Sequence, residues 1–127
     1  MSHFTRVKTQ MVDRDLLVQA LADLGHVAET GECLVRGYEG RRTTVEVRVP
    51  TRHAGYDIGF ARSGKAFEMV ADWWGISSVR PERFLQQVQQ RYAYHAARDR
   101  LTAQGFSLAN EEVDAQGRIH LVLRRAG

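Results

Sequence analysis

The residue types that most often carry chemistry are present but scattered. The five histidines, His3, His26, His53, His95 and His120, form no H-x-x-x-H or H-E-x-x-H pair, the spacing that turns two imidazoles toward one metal from a helix face. Cys33, the single cysteine, falls in an alternating stretch and reads as a small buried residue rather than a nucleophile. Gly37, Gly40, Gly55 and Gly59 sit within hairpins instead of between a strand and a helix, so they build no phosphate-cradling loop. A G-x-S-x-G elbow is absent too. These patterns assign no catalytic residue, no metal ligand and no cofactor, and they favour a non-enzymatic protein.

Several polar and aromatic residues nevertheless stand where propensity alone would not put them. Asp57 lies between Tyr56 and Ile58 in a strand-like stretch, and Asp72 follows the apolar Met69-Val70-Ala71 run, although aspartate is unfavourable in strands. Either Asp57 points to solvent and Asp72 ends its strand, or each pairs with an arginine across the sheet. Arg36 and Tyr38, two residues apart, share one strand face. Tyr94 points away from the apolar stripe of its helix, with Arg91 and Arg98 nearby and His95 at the stripe's edge. An exposed tyrosine between arginines is the composition of a binding hot spot, and the alternative is that Tyr94 covers the rim of the sheet. In Trp73-Trp74 adjacent rings face opposite ways, which predicts that one of them, Trp74 being the binding candidate, is exposed.

These side chains need a scaffold, and periodicity supplies one. Phe4 to Met11 reads as a strand. Asp13 caps a helix whose Leu16, Leu17, Ala20, Leu21 and Leu24 recur on one face, and Gly25 stops it. His26 to Gly40 reads as a hairpin, with a short strand around Val27, a turn at Thr30-Gly31-Glu32 and a strand from Cys33 to Tyr38. Val45, Val47 and Val49 alternate with polar residues in the next strand, which Pro50 ends. Further strands cover Tyr56 to Ala61 and Ala66 to Ala71. A second helix runs from Pro81 to about Gln104, burying Phe84, Leu85, Val88, Tyr92, Ala96 and Ala103. Phe106 to Val113 and Arg118 to Arg125 close the chain as a hairpin. The expected architecture is α+β, a single domain over 1–127, with about seven strands in a mainly antiparallel sheet, two helices packed on one face and the order β-α-β-β-β-β-α-β-β.

Composition narrows the function classes. With 127 residues, 43% hydrophobic and 26% charged, the chain has the make-up of an ordinary globular domain. Its net charge is +3, and sixteen of eighteen basic residues are arginine. Nine bases face eight acids up to Gly64, and nine face seven beyond it, so no basic block marks a polyanion groove. No apolar run reaches the roughly 18–20 residues of a membrane span, and Met1-Ser2-His3-Phe4 lacks the layout of a signal peptide. With a lone cysteine, this points to a cytoplasmic protein.

Taken together, Met1-Ser2-His3-Phe4 with Lys8-Thr9, Arg36-Gly37-Tyr38, Tyr56-Asp57-Ile58-Gly59-Phe60, Val70-Ala71-Asp72, Gln90-Arg91-Tyr92-Ala93-Tyr94-His95 and Ile119-His120-Leu121-Val122-Leu123-Arg124-Arg125 resemble the hypothetical chloroplast reading frame thirty-five family of cyanobacteria, algal plastids and other bacteria. The blocks span nearly the whole chain in the family's order. The resemblance implies a small soluble protein without assigned catalytic residues or cofactor, and it associates bacterial members with neighbouring AAA-type ATPases. The chain departs from the family pattern in the loop from Trp73 to Arg80 and in ending Arg125-Ala126 in place of a terminal Trp.

The expectation is therefore an adaptor or assembly factor that binds another protein, an AAA-type ATPase being the partner implied by the resemblance, with Arg36, Tyr38, Asp57, Asp72, Trp74, Arg91, Tyr94, His95 and Arg98 as binding candidates. One alternative is single-stranded nucleic acid on the sheet face, with Tyr38 and Phe60 stacking and Arg36 and Arg48 on phosphates. Another is a small-molecule or catalytic site between sheet and second helix, using Asp57, Arg91 and His95. Self-association through a bare face or edge strand is a further expectation.

Overall fold

The computed structural model describes residues 3–125. Thr5–Lys8 forms β1 and Arg14–Asp23 helix α1; Glu29–Arg36, Arg42–Pro50, Asp57–Ser63 and Ala66–Ala71 form β2 to β5. Pro81–Ala103 is helix α2, and Phe106–Val113 and Ile119–Arg125 are β6 and β7. Short 3-10 turns occupy Tyr38–Gly40 and Trp73–Gly75. Met1-Ser2 of the resemblance, and Ala126 of its departure, lie outside the described residues.

The chain is α+β with the expected element order, but its seven strands divide between two sheets. Five run antiparallel in the order β1-β5-β4-β3-β2, while β6 pairs only with β7. Thr5 pairs with Ala71 and Lys8 with Glu68, so β1 occupies the free edge of β5. No neighbouring position is then left beside β5 for the strand that follows α2. β6 and β7 pair with each other, and β6 leans on α2.

Local signals explain most boundaries. Asp13 Oδ1 accepts the backbone N–H of Leu16 at 3.1 Å, capping α1, and Pro81 opens α2 where a missing N–H costs nothing. Leu17, Ala20 and Leu21 of α1 and Phe84 and Val88 of α2 pack against Val47, Val49, Ile58, Phe60, Phe67 and Met69. Each large side chain so buried contributes about 1.5–3 kcal/mol. Alternation sends Ala61 and Val70 to the opposite side, where they form a smaller cluster with Val35 and Val45, and Phe4 and Cys33 pack on it. Gly59 has no side chain because a Cβ there would stand 2.3 Å from Val35 Cγ2.

Two local expectations are corrected. Val27 is almost wholly exposed and belongs to no strand, and Thr30-Gly31-Glu32 is not a hairpin turn. β2 runs straight through these residues with a break in register between Thr30 and Cys33, so a bulge absorbs Gly31 without reversing the chain. In α2, Ala103, the last residue of the helix, is exposed instead of buried.

Candidate docking site

Two buried carboxylates hold one corner of the sheet. Asp57, the first residue of β4, is wholly buried. Its Oδ2 accepts the backbone N–H and the Nε–H of Arg36, each at 2.9 Å, and its Oδ1 accepts Arg36 Nη2 at 3.1 Å. Arg48, from β3, donates Nη2 to the same Oδ1 at 3.1 Å and turns Nη1 to Glu29. Burial alone would raise the Asp57 carboxyl, but hydrogen bonds from the Arg36 side chain and backbone and from Arg48 outweigh it and hold the group below the usual carboxylate value.

Asp72 performs the matching task from the end of β5. Its Oδ2 accepts the Tyr38 N–H at 3.0 Å, and its Oδ1 accepts the Trp74 N–H at 3.3 Å, capping the turn that carries the two tryptophans. Asp57 and Asp72 thus fix the backbone at 36, 38 and 74. Gly37 fits between them because a Cβ there would lie 3.0 Å from both Asp72 Cβ and Phe4 Cζ.

What this framework presents is aromatic. Tyr38 and Trp74 meet edge to face, with centroids 5.1 Å apart and planes at 76°, and the Tyr56 ring lies 6.5 Å from Trp74 at a tilt of 44°. Trp74 is 66% exposed even though its backbone is pinned. Glu39, in the turn after Tyr38, takes the left-handed conformation at φ 55°, the only non-glycine residue among those described to do so. Rigid backbone, local strain and exposed aromatic surface therefore coincide.

A second cluster ties the terminal hairpin to the helices. Asp23 Oδ2 accepts Arg91 Nε at 2.7 Å and His95 Nε2 at 2.6 Å. Arg91 also lies 3.6 Å from Glu111 Oε1 on β6, and Tyr94 donates its hydroxyl to Glu111 Oε2 at 2.9 Å. The Arg91 guanidinium stacks 4.4 Å over the Tyr94 ring.

The nine expected binding residues fall into these two clusters. Arg36, Tyr38, Asp57, Asp72 and Trp74 gather at the sheet corner; Arg91, Tyr94 and His95 gather at α2, with Arg98 exposed one turn further along. The expectation that Tyr94 is exposed is overturned. It is 7% exposed, because the hairpin folds back across α2 and Glu111 takes its hydroxyl. Asp57 does not face solvent, since Arg36 and Arg48 neutralise it inside, and Asp72 pairs with backbone N–H groups rather than an arginine. Asp57 does not join Arg91 and His95, which meet at Asp23 instead. Phe60 is completely buried and offers no stacking surface, and Arg48 is taken up by Asp57 and Glu29. Tyr38 lies in the turn after β2 rather than in the strand. Sequence reasoning missed Asp23, Glu39, Tyr56 and Glu111; only Tyr56 carried a signal, its place beside Asp57.

The geometry defines a small α+β protein with two helices on one face of an antiparallel sheet and a rigid aromatic corner at its margin. The chain belongs to the family described as protein of unknown function (DUF1257), whose model matches residues 20–122. It is similar to the uncharacterized protein ycf35 of Guillardia theta, 38% identical, and of Cyanophora paradoxa, 34% identical, each covering 98% of both chains. The Pyropia yezoensis protein of the same name is 29% identical, again over 98% of both chains. The resemblance drawn from the sequence blocks holds. No solved structure matches. Neither α1 nor α2 is long and apolar enough to cross a membrane.

Proposed function

We propose that the protein is a non-enzymatic adaptor that docks a partner protein on Tyr38, Trp74 and Arg36. The observation that carries this reading is Trp74, a large aromatic side chain 66% exposed on a backbone that Asp72 holds in place. Tryptophan, tyrosine and arginine dominate binding hot spots because each brings area together with a polar handle. Fixing them before the partner arrives removes part of the ordering cost of association. Asp57 and Asp72 are spent on internal donors, which suits a structural rather than a catalytic task.

The test is quantitative affinity purification from native cells with wild-type, Trp74→Ala and Tyr38→Ala proteins, the AAA-type ATPase implied by the resemblance being the first partner to score. Recovery of the main partner should fall at least tenfold in either variant, equivalent to about 1.4 kcal/mol or more. Undiminished recovery from both variants overturns the reading.

A further inference from the structure

We infer that the partner presents an extended acidic segment whose Asp or Glu carboxylate is taken by the outer edge of Arg36, with an adjoining apolar side chain against Trp74. The inference rests on the docking reading above and gives that site its chemistry.

The guanidinium of Arg36 has two edges suited to a carboxylate. Asp57 fills the inner one through Nε and Nη2, at 2.9 and 3.1 Å. The outer edge holds Nη1, which makes no hydrogen bond among the described residues, together with the second Nη2 hydrogen, and the side chain is 41% exposed. An arginine clamped on one edge by a buried carboxylate cannot swing away. Its outer fork is therefore oriented in advance for planar, bidentate recognition, the arrangement that distinguishes arginine from lysine.

The surroundings favour the same ligand. Arg42 stands directly across the strand pair from Arg36, and Arg41 donates its N–H to the Tyr38 carbonyl in the same turn. Both are exposed, and neither has a carboxylate within ion-pair distance among the described residues. Two like charges opposite each other are unfavourable in a sheet unless an anion compensates them. Asp57 faces Arg36 and Arg48 but not Arg42, which leaves Arg42 to be matched by a ligand. Carboxylates spaced along one segment would meet Arg36, Arg41 and Arg42 in turn.

A nucleic acid fits less well. Tyr38 and Trp74 meet edge to face rather than as parallel platforms, and Glu39 sits at the turn where a polyphosphate would pass. A peptide can place an uncharged residue there.

The probe is a capped octapeptide with a central Phe-Leu pair flanked by three Glu on each side, titrated into the full chain while the Trp74 indole N–H is followed by NMR. The control octapeptide carries Gln for every Glu, and octathymidylate serves as the polyanion. The acidic peptide should shift Trp74 saturably, at least tenfold more tightly than the Gln peptide. Arg41→Gln with Arg42→Gln should weaken it at least fivefold, and Trp74→Ala, followed through the neighbouring Tyr38 backbone amide because the indole is gone, at least tenfold. Arg36→Lys keeps a charge for Asp57 but loses the outer fork, and should also weaken it at least fivefold at a temperature where the variant is still folded. If that variant unfolds, the double Gln variant and the Gln peptide decide.

Equal binding of the Glu and Gln peptides overturns the acidic chemistry. Tighter, steeply salt-dependent binding of octathymidylate replaces it with a nucleic-acid site. If neither peptide shifts Trp74 while Trp74→Ala still loses its cellular partner, the acidic inference falls and the docking surface stands. If Trp74→Ala retains that partner as well, both fall.

Discussion

Asp57 binds Arg36 through main chain and side chain at once: one carboxylate oxygen accepts both the backbone N–H and Nε–H of Arg36 at 2.9 Å. The interaction therefore fixes the end of β2 and the direction of the arginine together. Replacing Asp57 by Asn keeps the volume but leaves Arg36 and Arg48 without a counter-charge. Removing one partner of a buried ion pair costs about 3–5 kcal/mol, and both arginines reach water, so we expect about 2–3 kcal/mol in urea unfolding at pH 7. Because the folded carboxyl is more acidic than the unfolded one at 3.8, its contribution is complete above that value and is lost as pH falls through the lower folded value. The gap between wild type and Asp57→Asn should therefore close only in acid. A gap independent of pH would assign the loss to packing.

Gly75 links packing to the docking surface. A Cβ at this position would lie 2.1 Å from Tyr56 Cε2 and 2.2 Å from Cζ, so Gly75→Ala must displace the Tyr56 ring that flanks Trp74. Overpacking of this kind costs about 1–3 kcal/mol. We expect a lower thermal midpoint and an altered near-ultraviolet circular dichroism signal from the tryptophans. Trp74→Ala, by contrast, removes a mostly exposed ring that meets Tyr38 edge to face and Tyr56 at a tilt, and should cost about 1 kcal/mol or less. If Gly75→Ala leaves the aromatic signal unchanged, Tyr56 and Trp74 are not mechanically coupled.

The elements were legible in the sequence wherever one periodicity held without competition. Leu17, Ala20 and Leu21 on α1, and Val47 and Val49 on β3, announce their buried faces directly. The sites were less legible because they depend on pairings between distant segments. Nothing local tells Asp57 that Arg36 and Arg48 will converge on it, and a strand aspartate looks like a solvent residue until register is known. Tyr94 misled for the same reason: its helix angle does point away from the stripe, but β6 returns to cover it. The division into two sheets was hidden too, since it follows from β1 taking the edge beside β5.

Glu39 stores strain that a glycine would release. Its φ of 55° lies in the left-handed region, where a Cβ costs about 1–2 kcal/mol and glycine pays no such steric penalty. Glycine also loses more chain entropy on folding, so Glu39→Gly should stabilise by a net of about 0.5–1 kcal/mol. Glu39→Val, with a branched side chain that resists this conformation, should destabilise by at least about 1 kcal/mol. Urea unfolding of the pair gives both signs. A loss of stability in Glu39→Gly would mean that the Glu39 side chain contributes more than its backbone costs.

The hairpin of β6 and β7 is held by a latch with an acid limb and an alkaline limb. On the acid side stands Asp23: burial raises its carboxyl, but hydrogen bonds from Arg91 and His95 prevail and lower it below 3.8. Its contribution is present above 3.8 and lost as pH falls through the folded value. On the alkaline side stands Tyr94, whose hydroxyl is raised above 10.0 by burial and then by Glu111. Its contribution is present below 10.0 and lost as pH rises through the folded value. Arg91 joins the limbs, since it bonds Asp23, lies 3.6 Å from Glu111 and stacks on Tyr94. Amide-exchange protection in β6 and β7 should therefore fall at both extremes of pH before protection in β4 and β5 does. Tyr94→Phe removes the hydroxyl from Glu111 and should cost about 1 kcal/mol, read as loss of hairpin protection. That variant should also lack the alkaline limb while keeping the acid one. If Tyr94→Phe lowers protection equally in β4, β5, β6 and β7, the hairpin opens only with the whole fold and the latch does not exist as a separate device.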